Sequence, residues 1–226
     1  MAEWAVRPAV ALHPVPPQVS DVAAALVNQG ALTVHAARRA RLEPGSSVAV
    51  FGPGLLGLLM LQVARAAGAT QIITVGRGKR LVTARELGST EVVDYSAADP
   101  VAAVRTAADG RGVDYVFDCS GNPAVLAQAM HAARRGGTVA VLGLAGGRSA
   151  ELPVDPLVLD ELNLLGIRSS PNAYPAMIAL LASGAIVTEP LTTHQYPLRD
   201  VATAFGVLAR REAIRPIITM PRPEGA

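Results

Sequence analysis

Residues 48–57, Val-Ala-Val-Phe-Gly-Pro-Gly-Leu-Leu-Gly, constrain this chain more than any other stretch. A short β-branched run ends in Gly52, Gly54 and Gly57 at Gly-x-Gly-x-x-Gly spacing, and small and apolar residues continue from Leu58 to Ala67. That is the pattern of a strand, a tight turn and a helix N-terminus, which together seat a dinucleotide pyrophosphate. Gly52 allows the turn. Gly54 lets backbone N–H groups, those of Leu55 and Leu56 among them, approach the phosphates, and Gly57 lets the helix pack close to the strand. Three glycines alone also fit an ordinary turn; the flanking strand and helix carry the inference.

The rest of the chain repeats the rhythm. Strands are expected at 71–75, 91–95, 114–119, 138–142 and 163–169, with helices between them at 79–87, 100–108 and 123–134, the last closed by Gly136 and Gly137. Alternating strands and helices give βαβ units and a parallel sheet. Further helices are expected at 174–183 and 198–210, an extended piece at 191–196 and a last strand at 215–220; residues 221–226 read as a frayed tail. Before the glycine turn, residues 4–8 and 9–12 read as short extended pieces, and Pro14, Pro16 and Pro17 break any helix. Ser20 or Asp21 caps a helix over 22–28; Gly30 interrupts it, and a second helix runs over 32–41. The fold expected is α/β, a Rossmann-type doubly wound parallel sheet. Its 226 residues fit one large domain, or one domain and a piece of another.

Half of the residues are hydrophobic and only 4% are aromatic, which suits an aliphatic core on both faces of a parallel sheet. The net charge of +2 includes no basic block with interleaved aromatics, so no nucleic-acid partner is expected. Cys119 is the single cysteine and the four histidines are scattered, so no disulfide or cysteine-based zinc site forms within one chain. No run reaches membrane-spanning length and the start does not read as a signal peptide; a cytoplasmic protein is the expectation.

Sites that prefer NAD carry an acid at the end of the second strand for the ribose hydroxyls. Here that place reads Val75-Gly76-Arg77-Gly78-Lys79-Arg80. It has no acid and three cations. Gly76 leaves room for a 2′-phosphate and Arg77 can fork onto it. Lys79 and Arg80 either stand behind Arg77 or are solvated helix residues. NADP(H) is therefore expected over NAD(H). His35, with Thr33 on the same helix, is a candidate general acid, although a structural or solvated histidine fits that place as well. His194 reads as packing, Tyr174 and Tyr196 are proton donors by residue type only, and Asp155, Asp160 and Glu161 read as a loop and a helix start.

Taken in order, Leu42-Glu43-Pro44-Gly45-Ser46, the glycine turn, Ala84-Arg85-Glu86-Leu87-Gly88, residues 112–118 (Gly-Val-Asp-Tyr-Val-Phe-Asp), Gly136-Gly137, residues 190–194 (Pro-Leu-Thr-Thr-His) and Ala213-Ile214-Arg215-Pro216 resemble the medium-chain dehydrogenase/reductase family in its zinc alcohol dehydrogenase-like branch. The resemblance runs from Ala2 to Met220. It implies a cofactor-binding domain at 31–185, a remnant of a GroES-like catalytic domain at 1–30, and a segment at 186–226 that returns to that remnant. It places Cys119, Ser120 and Gly121, with Leu142 and Gly143, beside the nicotinamide and its ribose. It places Arg215 at the cofactor phosphates. Cys119 reads equally as a small buried hydrophobe. Most of the family's catalytic domain has no counterpart in this sequence, and Val27-Asn28 stand where the family keeps one zinc ligand, so no zinc is expected. The resemblance further implies a homodimer through Leu162 to Arg168, and a partner chain is one source for the catalytic domain. The function expected is reduction or oxidation of a carbonyl, enone or alcohol without zinc. The alternative is a non-redox protein on the same scaffold: a cyclase or isomerase, a cofactor sensor or a partner subunit.

Overall fold

A computed structural model describes residues 6–220 of the chain. Its centre is a six-stranded sheet in the order β3-β2-β1-β4-β5-β6, every neighbouring pair parallel. The strands are β1 (Ser47–Phe51), β2 (Gln71–Gly76), β3 (Glu91–Asp94), β4 (Val113–Asp118), β5 (Ala133–Val141) and β6 (Asn163–Gly166). The helices are α1 (Asp21–Ala24), α2 (Val27–Ala40), α3 (Leu55–Ala66), α4 (Lys79–Glu86), α5 (Pro100–Ala107), α6 (Val125–Ala132), α7 (Val154–Leu159), α8 (Tyr174–Ala182) and α9 (Val201–Ala209). Order 3-2-1-4-5-6 is that of a doubly wound dinucleotide-binding sheet, whose ligands lie at the carboxyl ends of the strands where the order reverses. Here the reversal falls at β1 and β4.

Both faces of the sheet are buried, and alternate residues of each central strand feed different cores. Val48, Val50, Ile72, Phe117 and Ala140 pack with α2, α3 and α8; Ala49, Phe51, Ile73, Val116 and Val139 pack with α5 and α6. The local signals do what their chemistry allows. The Ser20 hydroxyl accepts the Ala23 N–H at 3.2 Å, and Asp99 accepts the Ala102 N–H at 2.7 Å ahead of Pro100 at the first turn. α2 stops where Arg41 takes a left-handed φ of 52°.

Several expected boundaries move. Gly30 does not interrupt a helix: α2 runs through it, and the break falls at Ala25 and Leu26. A Cβ at Gly30 would come 2.3 Å from Met177 Cε, so this glycine admits α8 against α2 and ends nothing. α6 ends at Ala132, and Gly136 and Gly137 lie inside β5, which begins at Ala133 against Val113 across a register shift. Ala9–Ala11 form a 3-10 turn, not an extended piece, and the stretch read as a loop and a helix start around Asp155, Asp160 and Glu161 holds the short helix α7, which ends before Asp160. Residues 198–210 split into a 3-10 turn, Leu198–Asp200, and α9.

The C-terminal segment makes a separate parallel pair, β7 (Gln195–Pro197) and β8 (Ile217–Thr219). It receives no strand from residues 6–30, so among the described residues the two ends of the chain do not share a sheet. The expected pieces at 4–5 and 221–226 lie outside the described residues. Gln62 ties the C-terminal segment to α3. It is fully buried, its Nε2 donates to Val187 C=O at 3.1 Å, and its Oε1 accepts the Val187 N–H at 2.7 Å.

Candidate functional site

Three chain reversals meet at the carboxyl ends of β1, β4 and β5, and glycines let their backbones touch. Gly52 has φ 89°, and a Cβ on it would come 2.8 Å from Ser120 Cα. A Cβ on Gly57 would come 2.1 Å from Gly52 C=O, so the first turn of α3 closes directly onto the end of β1. A Cβ on Gly143 would come 2.2 Å from Gly121 N. Gly54 differs from these three. A Cβ there meets nothing nearer than Arg80 Nη1, at 3.8 Å, so the space above the turn is open and faces a cation. The first bond of α3 runs from Leu58 N–H to Gly54 C=O at 2.9 Å, so the N–H groups of Leu55, Leu56 and Gly57 have no partner within the helix. They point to the open space at the positive end of α3, which suits a pyrophosphate. A dinucleotide fits the residues present.

The cations are distributed otherwise than expected. Gly76 keeps no room free: a Cβ there would sit 2.3 Å from Pro53 Cγ and 3.3 Å from Leu81 Cδ2, so this glycine accommodates the proline ring of the turn. Arg77 is exposed, with its guanidinium carbon 6.0 Å from the centroid of the Tyr95 ring. Lys79 is an exposed first residue of α4. Arg80 is the residue brought to the glycine turn. It is half-buried, and Nη2 reaches Ala213 C=O at 3.5 Å, linking α4 to the C-terminal segment. Burial, with the Arg211 charge nearby, lowers its pKa from the usual arginine value. Arg215 lies in the same segment, half-buried, its N–H on Leu191 C=O at 3.0 Å.

Asp118, placed by its sequence at the end of the fourth strand but given no role for its side chain, organises the strand ends. It is 3% exposed at the end of β4. Its Oδ1 accepts the Ser120 N–H at 2.9 Å and the Ser120 hydroxyl at 2.6 Å, and its C=O accepts the N–H groups of Leu142 at 2.8 Å and Gly143 at 3.0 Å. Burial raises its carboxyl pKa against the opposing pull of the Ser120 bonds. The Asp-x-Ser spacing of an Asx turn was the available signal. Asn122 N–H donates in turn to Ser120 Oγ at 3.0 Å, and Arg148 bonds both Gly121 C=O and Ala145 C=O at 2.9 Å. The backbone donors of Ser120, Asn122, Leu142 and Gly143 therefore serve the loops themselves. Cys119 packs against the core, its N–H on Phe51 C=O, and burial followed by the Asp118 charge pushes the thiol pKa up.

The expected catalytic pair is not joined to these loops by any hydrogen bond. Thr33 is fully buried and its hydroxyl donates to Gly30 C=O at 2.8 Å within α2, so it is no substrate donor. His35 is half-buried on the same helix; burial, then Arg39 and Arg38, lower its pKa. Tyr174 hydroxyl bonds Asn28 Oδ1 at 2.5 Å, and His13 stacks on the same ring. Among the described residues no three His, Cys, Asp or Glu side chains come together, so these residues offer no donor set for a zinc ion. No described helix is long and apolar enough to cross a membrane.

Comparison with known proteins agrees with this geometry. A family model described as zinc-binding dehydrogenase matches residues 56–183. Sorbitol dehydrogenase of Bacillus subtilis is 36% identical over 84% of this chain and 54% of its own length; (R,R)-butanediol dehydrogenase of the same organism is 32% identical over 93% and 61%. Among solved structures, Bacillus subtilis 2R,3R-butanediol dehydrogenase superposes with a TM-score of 0.85 at 31% identity, covering 92% of this chain and 60% of that one. A Sinorhizobium meliloti 1021 protein bound to NADP gives 0.83 at 30% identity, covering 92% and 61%. The chain thus spans less than two thirds of the length of these relatives. It belongs to the zinc-type medium-chain dehydrogenase/reductase family and carries the cofactor-binding domain of that family.

Proposed function

We propose that this chain binds NADP(H) and serves a zinc-independent oxidoreductase acting on a carbonyl, enone or alcohol. The observation that carries the reading is the open space over Gly54, which the α3 N-terminus and Arg80 face, with no acid at the end of β2. The bound nicotinamide nucleotide supplies the hydride. The chain positions it: the first-turn N–H groups of α3 hold the pyrophosphate with Arg80 and Arg215, Arg77 grips the 2′-phosphate, and the locked loops at Ser120–Gly121 and Leu142–Gly143 give the nicotinamide a wall of fixed shape.

Donors for a substrate oxygen are scarce in these residues, because the N–H groups of Ser120, Asn122, Leu142 and Gly143 and the Thr33 hydroxyl are already bonded. The group that polarises the substrate then comes from outside them, on a partner chain or on a domain such as the relatives possess. A second copy of the chain joins through β6, the edge strand beyond β5. The same scarcity favours a second reading, a non-redox protein that holds the cofactor as a scaffold or sensor.

Elemental analysis and turnover separate these readings. Protein without stoichiometric zinc that oxidises NADPH with an enone supports the reductase. One equivalent of tightly held zinc, with turnover lost on chelation, overturns the zinc-free reading. Cofactor binding with no turnover over a broad carbonyl panel favours the non-redox protein.

A further inference from the structure

Asp94 and Tyr95 stand at the end of β3, against the turn that follows β2. Asp94 lies in register with Gly76, and Tyr95 N–H donates to Gly76 C=O at 3.1 Å. The Arg77 guanidinium carbon lies over the Tyr95 ring, 6.0 Å from its centroid, at the outer reach of a cation–π contact. The Asp94 carboxylate accepts the Ser96 N–H at 2.9 Å and the Ser96 hydroxyl at 2.5 Å. Gly78, next after Arg77, has a φ of 65° and turns the chain into α4. The backbone just before Arg77 is therefore held by β3, and the Arg77 side chain reaches over a ring.

An exposed arginine has many rotamers to lose when it grips an anion, and one already resting on an aromatic face loses fewer. Asp94 would repel a phosphate if it faced one bare, but the Ser96 N–H and hydroxyl bond its carboxylate and the Arg77 charge lies near it. Its bonds to Ser96 brace the turn after β3 and make it no reader of ribose hydroxyls, although it ends the strand next to β2.

We propose that Tyr95 is a positioning residue for cofactor selectivity: at the paired ends of β2 and β3 it aligns the Arg77 guanidinium for the 2′-phosphate of NADP(H). This rests on the NADP(H) reading above. The test is calorimetric titration of NADPH and NADH into the native chain, Tyr95→Phe, Tyr95→Ala, Arg77→Ala and the double variant. Tyr95→Phe keeps the preference. Tyr95→Ala weakens NADPH by about two- to fivefold and leaves NADH unchanged, and on top of Arg77→Ala it has no further effect. NADH affinity serves as the check on folding. If Arg77→Ala removes the preference while Tyr95→Ala changes neither cofactor, or changes both alike, the positioning role is wrong and the NADP(H) reading stands. If the native chain shows no preference at all, both fall.

Discussion

Single residues decide whether the glycine turn can form, and Gly57 decides most. Its spacing was legible in the sequence, and the structure supplies the reason: a side chain there would run into Gly52 C=O. Gly57→Ala should lower stability by about 1–3 kcal/mol and abolish cofactor binding, read by chemical denaturation and titration together. A second residue ties the sheet across β1 and β4. Asp114 Oδ2 accepts the N–H and the hydroxyl of Ser47 at 2.8 and 2.7 Å, and its Oδ1 accepts Arg134 Nε at 2.6 Å. Burial pushes its carboxyl up, but these bonds outweigh burial and hold it below its usual 3.8. A folded-state pKa below the unfolded one means stability that is present above pH 3.8 and lost as pH falls through the folded value. Asp114→Asn should therefore cost about 1–3 kcal/mol at neutral pH, and its gap to the native chain should close as the solution is taken below pH 3.8. A gap that widens in acid would refute the assignment. Arg80 was less legible, because its position in the first turn of α4 fits solvation equally well; only the folded C-terminal segment, with Ala213, brings it over Gly54.

Among the elements, the βαβ rhythm was legible from 47 to 141 because β1, β2 and β4 are short, largely buried runs closed by their own turn residues. It failed where tertiary contact overrode a local signal. Gly30 looks like a helix breaker until Met177 of α8 is seen to fill its place, and Gly136 and Gly137 look like a helix stop although β5 needs them for its register against β4. The bounds of α7 were not legible because it is short, starts after Pro153 and buries no residue fully. Its exposure bears on assembly. Val158 and Leu159 are 65% and 74% exposed, just ahead of Leu162 and the edge strand β6. An open edge beside an apolar helix is an association surface. Light scattering should give twice the chain mass of 23.3 kDa, and a charge at Leu159 should weaken the pair. A stable monomer at tens of micromolar would contradict pairing through β6.

At the scale of the molecule, the strand order puts the glycine turn, the Asp118 loops and the basic turn after β2 on one rim of the sheet. The rim and its glycines were readable from spacing. The locking of its donors was not, because Asp118, Leu142 and Gly143 come together only when β4 and β5 pair. A site with good cofactor geometry and few spare donors at its strand ends makes one demand above all, that the cofactor bind with the selectivity its cations imply. A charge-assisted contact to the 2′-phosphate contributes roughly 1.5–3 kcal/mol, one to two decades in affinity. Calorimetric titration of the native chain should therefore give NADPH a dissociation constant at least about tenfold below that of NADH, with most of the difference lost in Arg77→Ala. Equal constants for the two cofactors, or binding of neither, would contradict the account.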